Sequence, residues 1–380
     1  MPIESLEVEN YRSLKDVQLK LGKLNVVVGP NGTGKSNLYR AMYLIACAAN
    51  GTFARTLADE GGMSSVLWAG RRHKSETQQM RLAVELDELR YELTCGLIPM
   101  EPAKDPPGDS LSQWFRLDPD IKHEEIQLKY RGKLTSLLER KAGLVSTRDM
   151  DGRRVEFPSA VLPNESILSA LREPHRFPDL HQLRSEILSW RFYHHFRTDL
   201  DSPLRRPQLG VITPVLSHDG TDVAAALATI KGTGDSAELN KFFSDAFPGA
   251  SLILTSDAGH MQMQVEMPDL YRPFQAVEIS DGTLQYLCLL AALLTPRPPS
   301  LMVLNEPETS LHEKLLPALA KLIARAAQHS QVWITTHSID LVNHLNKLGG
   351  VTRINLDKAE TGETIIEGSA RPESKDDSDD

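Results

Sequence analysis

The first part of the chain contains two kinds of apolar pattern. Residues 6–9 and 17–21 alternate apolar with polar side chains, which predicts half-buried antiparallel strands. Residues 24–28 (LNVVV) are apolar almost throughout, and this predicts a central strand covered on both faces. A glycine-rich turn follows, after which residues 38–45 carry apolar side chains at helical spacing.

The second half of the chain alternates predicted strands with predicted helices. The apolar run at 284–294 predicts a buried helix, and residues 301–304 predict a strand. Leucines on one stripe of residues 311–326 then predict an amphipathic helix before a strand at 332–336. This alternation is typical of a parallel sheet whose faces are covered by helices. Residues 351–367 are predicted to add a hairpin.

The middle of the chain is less regular. Residues 81–95 alternate as a strand hairpin, and a proline-rich loop follows them. Residues 125–157 predict short strands, and residues 162–190 predict helices. We therefore predict an inserted α+β lobe, and the predicted division is a main α/β domain at 1–100 and 190–370, the lobe at 100–190 and an acidic tail at 371–380.

Composition narrows the class of protein. The chain has 380 residues, of which 41% are hydrophobic and 24% charged, and this excludes disordered, collagenous and disulfide-scaffold classes. Cys47, Cys95 and Cys288 are too far apart for a CxxC site and cannot all pair, so we expect a reduced compartment. No signal-peptide pattern is visible, and the longest nearly apolar run, 11 residues at 284–294, is too short to cross a bilayer. We expect a cytoplasmic protein without a membrane partner.

The charge balance argues against a protein that coats nucleic acid, because the formal net charge is −9. The last eight residues contribute a net −4, and we predict that this tail is disordered. Basic points at 71–74, 153–154 and 205–206 could still meet DNA phosphates. A solvated surface patch is the alternative interpretation of each.

Residues 29–36 (GPNGTGKS) match the pattern GxxxxGK[ST] between a predicted strand and a predicted helix. Glycines let N–H groups turn inward around phosphate oxygens, and the helix N-terminus adds the positive end of its dipole. Lys35 can reach the β- and γ-phosphates, and Ser36 can offer its hydroxyl to Mg²⁺. The predicted ligands are therefore ATP and Mg²⁺, and the predicted nucleotide-binding residues are Asn31, Gly32, Thr33, Gly34, Lys35, Ser36 and Asn37.

Three further motifs follow this phosphate cradle in order. Residues 278–283 (EISDGT) precede the apolar helix, residues 301–308 (LMVLNEPE) span the end of a strand, and His337 follows the next strand. Together with the opening LEVENYRSLKDVQL, this set resembles the ATP-binding cassette (ABC) ATPases of the RecF/SMC branch, specifically the bacterial predicted ATPases labelled AAA. The resemblance covers both ends of the chain and most of residues 190–345.

The resemblance implies an α/β fold, the P-loop NTPase fold of an ABC-type ATPase head with a mixed sheet. Two heads are then expected to face head-to-tail, so that Ser280 and Gly282 of one copy contact the ATP of the other. A plain helix N-cap is the alternative role of Ser280. Glu306 would activate the attacking water and His337 would sense the γ-phosphate, while a strand-end glutamate and a structural histidine are the alternatives.

Asn305 departs from the family pattern, which usually has an acidic residue at this position. The expected Mg²⁺ ligands are Ser36, Asn305 and Glu306. An uncharged amide oxygen holds a hard cation more weakly than a carboxylate does. We therefore expect either slow hydrolysis or a sharing of the metal and base roles between Glu306 and Glu308.

Two other positions are less defined. Arg12 resembles an arginine that reaches the nucleotide in RecF-like heads, and a surface salt bridge is the alternative. The family's Q-loop glutamine has no clear match, and Gln78 and Gln79 are the candidates.

The sequence leaves three functions to compare. The first is an ATP-driven dimerising switch, a homodimer or higher homo-oligomer, that acts on DNA or with a nuclease or effector partner in DNA maintenance or phage defence. The second is a low-turnover, nucleotide-dependent module that regulates a partner protein. The third, a transporter's nucleotide-binding subunit, is disfavoured by the N-terminal strands and the SDGT signature.

Overall fold

A computed structural model describes residues 1–70, 78–99, 114–141, 143–148, 151–158, 161–268 and 270–367. The strands are β1 (Ile3–Tyr11), β2 (Leu14–Lys20), β3 (Leu24–Val28), β4 (Gln79–Leu86), β5 (Leu89–Gly96), β6 (Asp120–Tyr130), β7 (Lys133–Lys141), β8 (Leu144–Arg148), β9 (Arg154–Pro158), β10 (Arg191–Tyr193), β11 (Gln208–Leu209), β12 (Ser251–Asp257), β13 (His260–Glu266), β14 (Phe274–Gln275), β15 (Leu301–Asn305), β16 (Gln331–Thr336), β17 (Val351–Lys358) and β18 (Thr364–Ile366). The helices are α1 (Lys35–Asn50), α2 (Phe53–Asp59), α3 (Met63–Val66), α4 (Ile167–Ala170), α5 (Pro178–Ser189), α6 (Val223–Thr233), α7 (Ser236–Ala246), α8 (Asp281–Leu293), α9 (Leu316–Ala326) and α10 (Ile339–Leu348).

The central sheet has the order β10-β15-β16-β3-β17-β18. Its first five strands are parallel, and β18 closes the sheet as the antiparallel arm of a hairpin with β17. The apolar strands β3, β15 and β16 lie side by side in it, so both of their faces are buried. In open α/β sheets ligands bind at the carboxyl ends of the parallel strands. The predicted parallel sheet and its covering helices are confirmed.

Two apolar cores flank this sheet. Alternation along β16 sends Trp333 into one core and Ile334 into the other. The first core is shared with α1 and with a second, antiparallel sheet. The second core is formed largely by α6, α7, α8, α9 and α10. Helix α8 is buried throughout residues 283–293, because it is apolar on all sides.

The antiparallel sheet has the order β2-β1-β4-β5-β6-β7-β8-β9. Strands β6–β9 were predicted for the inserted lobe, but β6 pairs directly with β5, with Leu89 opposite Leu128. Helices α4 and α5 pack on α1, the helix that follows the phosphate cradle. Strands β6–β9 therefore continue the sheet that contains β1, β2, β4 and β5. The domain division at 100–190 stays a prediction, and the predicted tail at 371–380 lies outside the described residues.

A third, small sheet pairs β11 and β12 with the two edges of β13, and β14 also pairs with β13. It leads through a short 3₁₀ turn, Ala276–Glu278, into α8. This connection matters for the site because residues 278–283 carry the predicted signature motif.

Candidate nucleotide-binding site

The phosphate cradle lies where it was predicted, between β3 and α1. Gly32 and Gly34 have φ angles of 82° and 104°, a region that residues with a Cβ rarely adopt. Gly34 is the residue before α1, and the first turn of this helix has no acidic side chain. The loop therefore presents its amides and an unopposed helix N-terminus, which is the arrangement that binds phosphate.

The Lys35 ammonium lies inside this loop. Its Nζ donates to the carbonyl oxygen of Gly29 and, at 2.9 Å, to that of Pro30. Burial lowers the pKa of Lys35, and the negative charges of Glu306 and Glu308 partly oppose this shift. A phosphate oxygen could replace these carbonyls as the partner of Nζ, so the cation is already in place for an anion.

The hairpin of β17 and β18 packs against the phosphate cradle. Thr364 Oγ1 donates to the carbonyl oxygen of Thr33 at 2.8 Å and lies 2.8 Å from Ser13 Oγ. Asn37 Nδ2 donates to the same Ser13 oxygen at 2.8 Å. A Cβ on Gly34 would lie only 2.2 Å from Thr364 Oγ1. Asn37, predicted to bind nucleotide, thus contacts the turn between β1 and β2.

Asn305 and Glu306 lie at the carboxyl end of β15. The amide oxygen of Asn305 accepts a hydrogen bond from Thr335 Oγ1 at 2.8 Å. Glu306 has a φ of 47°, and its backbone N–H donates to the carbonyl oxygen of Thr335 at 2.8 Å. Such backbone strain is typical of functional positions. Thr335 of the neighbouring strand β16 thus binds both the Asn305 side chain and the Glu306 backbone.

Glu306 and Glu308 differ in their surroundings. The Glu308 side chain is 7% exposed, and its Oε1 accepts from Thr336 Oγ1 and from the His337 backbone N–H. The Glu306 side chain is 32% exposed, and His337 Nδ1 lies 3.6 Å from the Oε1 atom of each glutamate. Glu308 therefore fixes the strand end before His337, while Glu306 remains open to a ligand.

The signature residues start α8. Ser280 is its N-cap, and Ser280 Oγ accepts from the Thr283 backbone N–H at 3.3 Å. A Cβ on Gly282 would lie 2.6 Å from the carbonyl oxygen of Ser310, which explains the glycine by close packing. The cap role of Ser280 is confirmed, and its side chain is exposed.

Arg12 forms the salt bridge that was the alternative to nucleotide contact. Its Nε and Nη2 donate to Glu60 Oε2 at 3.1 and 2.7 Å. Tyr11 Oη donates to the same oxygen at 2.8 Å, and Arg40 Nη1 lies 3.5 Å from Glu60 Oε1. Glu60 thus holds Arg12 and Arg40 together near the start of α1.

The predicted basic residues lie in different structural environments. Arg205 is buried and its guanidinium is bound to backbone carbonyls, so its predicted availability for DNA phosphates is wrong. Arg153 and Arg154 have exposed side chains, each within 4 Å of an acidic residue. The basic residues at 71–74 lie outside the described part of the chain.

His194, which the sequence analysis did not single out, lies close to the candidate site. It follows β10, which is parallel to β15 with Tyr193 opposite Leu304, so it lies at the same sheet edge as Glu306. Its ring reaches solvent, yet partial burial lowers its pKa, and the nearby Arg40 and His195 lower it further while Glu306 opposes the shift. In contrast, the Q-loop candidate Gln79 lies in β4 of the antiparallel sheet.

Comparison with known proteins places this site in a family. The family model described as "AAA domain, putative AbiEii toxin, Type IV TA system" matches residues 24–343. The chain belongs to this family. The match includes the phosphate cradle, the signature turn, Glu306 and His337.

Two curated relatives match this AAA-domain chain over short stretches. The chain is 46% identical over 43 residues to the OLD nuclease of Thermus scotoductus, which is 11% of this chain and 8% of that protein. It is 41% identical over 49 residues to the DNA replication and repair protein RecF of Bacillus cytotoxicus, 13% of each chain. The matched stretches therefore span only about a tenth of these relatives.

Solved structures support the fold of this AAA-domain chain. An SMC head bound to the C-terminal winged-helix domain of ScpA has a TM-score of 0.53 at 16% identity, and the alignment covers 96% of this chain and 97% of that one. An SMC head with a coiled coil and joint from Pyrococcus yayanosii has a TM-score of 0.52 at 10% identity, covering 96% of both chains. The predicted RecF/SMC-like, ABC-type ATPase fold is confirmed.

Two features are absent from the described residues. No helix among them is both long and apolar enough to span a bilayer. Within the same ranges, no group of three or more His, Cys, Asp or Glu side chains is arranged to hold a metal ion by itself. Mg²⁺ that accompanies a nucleotide usually takes only one or two protein ligands, so the second result is compatible with the predicted ion.

Proposed function

We propose that the chain is an ATP-driven switch that binds ATP with Mg²⁺, pairs head-to-tail with a second copy and hydrolyses ATP within the pair. The observation that carries this proposal is the convergence of the motif residues at one sheet edge. Glu306 lies 3.6 Å from His337, and the charge of Glu306 acts on the Lys35 ammonium. Membership of an ATPase family supports the same conclusion.

Each residue has a defined part in the proposed reaction. The cradle amides and Lys35 bind the β- and γ-phosphates and stabilise the charge that develops during phosphoryl transfer. Glu306 accepts a proton from the attacking water, and His337 positions the Glu306 carboxylate and the water. The oxygen donors Ser36, Asn305 and Glu306 suit Mg²⁺, which supplies charge neutralisation between the phosphates.

Asn305 favours slow turnover. Its amide oxygen is uncharged and already accepts a hydrogen bond from Thr335, so it contributes less to the binding of a hard cation than a carboxylate would. This observation supports the second candidate function, a nucleotide-dependent module in which ATP sets the dimer state and regulates a partner such as a nuclease or effector.

The proposed link to DNA maintenance is supported by two relatives, whereas phage defence rests on the family resemblance of the sequence alone. One short match is to an OLD nuclease and another is to a DNA replication and repair protein. Steady-state ATPase assays with and without duplex DNA at low salt separate the two candidates, with Lys35→Ala as the background control. Binding or stimulation by DNA supports the DNA-linked switch. If DNA neither binds nor changes turnover, the interaction module is the better description.

We predict that His194→Ala lowers kcat for ATP hydrolysis by roughly tenfold with little change in KM, the effect of one lost hydrogen bond of about 1.4 kcal/mol in the transition state. The neutral imidazole at the sheet edge can accept from or donate to the attacking water. His195→Ala is the matched control, because His195 is the next residue and also exposed. Equal kinetics for the two variants would contradict a role for His194.

A further inference from the structure

A buried arginine lies directly beneath the signature turn. Arg205 ends a short 3₁₀ turn, Pro203–Arg205, which Ser202 caps by accepting from the Leu204 backbone N–H at 3.1 Å. The Arg205 side chain is only 5% exposed. Burial of a permanent charge is costly unless all of its donors are satisfied, so the partners of this guanidinium are informative.

One edge of the guanidinium binds the backbone just before α8. Arg205 Nη1 donates to the carbonyl oxygens of Ala276, Val277 and Ile279 at 3.3, 3.1 and 2.6 Å. Residues 276–279 form the 3₁₀ turn and the approach to Ser280. A rigid planar fork that binds three carbonyls of one turn fixes the shape of that turn.

The other edge ties this turn to the segment after β10. Arg205 Nε donates to the carbonyl oxygens of Thr198 and Asp199, each at 3.0 Å, and Nη2 donates to that of Thr198 at 2.9 Å. Strand β10 pairs with β15, which ends in Asn305. The guanidinium therefore links the signature turn to a segment that leaves the nucleotide edge of the central sheet.

Arg205 also forms an ion pair with Asp281, an acidic residue in the first turn of α8. Its Nη2 lies 2.6 Å from Asp281 Oδ1. An unpaired carboxylate at this helix N-terminus would repel an incoming phosphate and compete for the same amides. The ion pair partly offsets the charge of Asp281, whose side chain is 57% exposed, while the exposed Ser280 stays in place as the N-cap.

From these contacts we infer that Arg205 is a positioning residue, which holds the signature turn in the shape that receives the γ-phosphate of ATP bound to the second copy. The inference rests on the proposed head-to-tail pair. Arg205 touches no nucleotide itself, and its effect is exerted on the opposite copy's cradle through Ser280, Asp281 and Gly282.

The first test separates positioning from general damage. Arg205→Ala is expected to lower kcat at least tenfold and to leave the Kd for ATP, measured on the isolated head with a fluorescent nucleotide, within about twofold, because the cradle belongs to the same copy. Arg206→Ala is the matched control, since Arg206 is adjacent and exposed. If Arg205→Ala does not fold, Arg205→Lys takes its place in the test. Lysine keeps the positive charge but lacks the planar guanidinium, so this variant should also have a lower kcat. Wild-type kcat in both Arg205 variants would overturn the inference, and so would a parallel loss of ATP affinity.

The second test uses the expected action in trans. A mixture of Arg205→Ala with Lys35→Ala forms mixed pairs in which one site combines an intact cradle with an intact signature. Lys35→Ala can pair where the partner's cradle supplies the ATP, so the mixture should hydrolyse ATP faster than the sum of the two variants measured separately. The control mixture of Ser280→Arg with Lys35→Ala should recover equally. Recovery in the control alone would overturn the role of Arg205, whereas recovery in neither mixture would reject the head-to-tail pair and the inference with it.

Discussion

Glu306→Gln is expected to lower kcat for ATP hydrolysis by roughly 10²–10⁴-fold, the usual contribution of a general base. Glutamine keeps the size and the hydrogen-bonding oxygen of Glu306 but cannot take a proton from water. The Glu306 carboxylate is 32% exposed and that of Glu308 is 7% exposed, so Glu306 is the one of the two that a ligand can reach more readily. A coupled steady-state ATPase assay measures the effect.

The control for this variant is Glu313→Gln, which changes an exposed glutamate in the 3₁₀ turn Glu313–Leu315. It should retain the wild-type rate. Undiminished hydrolysis by Glu306→Gln would reject Glu306 as the base. Glu308 is not an equivalent alternative, because its side chain is only 7% exposed and its Oε1 is bound by Thr336 and the His337 backbone N–H.

Lys35→Ala is expected to weaken ATP binding by roughly tenfold to a hundredfold, because one charge-assisted hydrogen bond contributes about 1.5–3 kcal/mol. It should also remove measurable turnover, since the lost charge is the one that meets the transferred phosphoryl group. The ammonium is held at the cradle by the carbonyls of Gly29 and Pro30. Isothermal titration with a non-hydrolysable ATP analogue and Mg²⁺ measures the affinity.

Lys231→Ala is the matched control, since Lys231 is an exposed lysine in the last turn of α6. Its affinity for the analogue should equal that of the wild type. ATP affinity that is the same in both lysine variants would contradict the assignment of residues 29–36 as the phosphate cradle.

Short-range patterns predicted most of the fold and indicated the candidate site. The alternation in β1 and β2 and the apolar runs of β3, β15 and β16 gave correct strands, because each pattern reports which faces are buried. The phosphate cradle was equally easy to predict, since its glycines, Lys35 and Ser36 all lie within the eight residues 29–36. The order of the motifs then predicted Glu306 and His337 at the ends of two strands, and the structure shows that these strands are adjacent.

The pairing of distant strands and side chains could not be predicted from the sequence. Nothing in the alternation of residues 120–130 tells whether β6 starts a new sheet or pairs with β5, because period-two patterns are the same in both cases. Strand β10 has three residues, too few for any period, so His194 was overlooked. Arg205 looked like a surface charge because its partners are backbone carbonyls, which leave no trace in a sequence.

The oligomeric state of Glu306→Gln with ATP and Mg²⁺ tests the central claim most directly. Without hydrolysis the nucleotide stays between the two heads, so light scattering coupled to size exclusion should give a dimer with ATP and a monomer with ADP. Lys35→Ala should stay monomeric with either nucleotide. If Glu306→Gln remains monomeric at saturating ATP, the chain is not an ATP-driven dimerising switch.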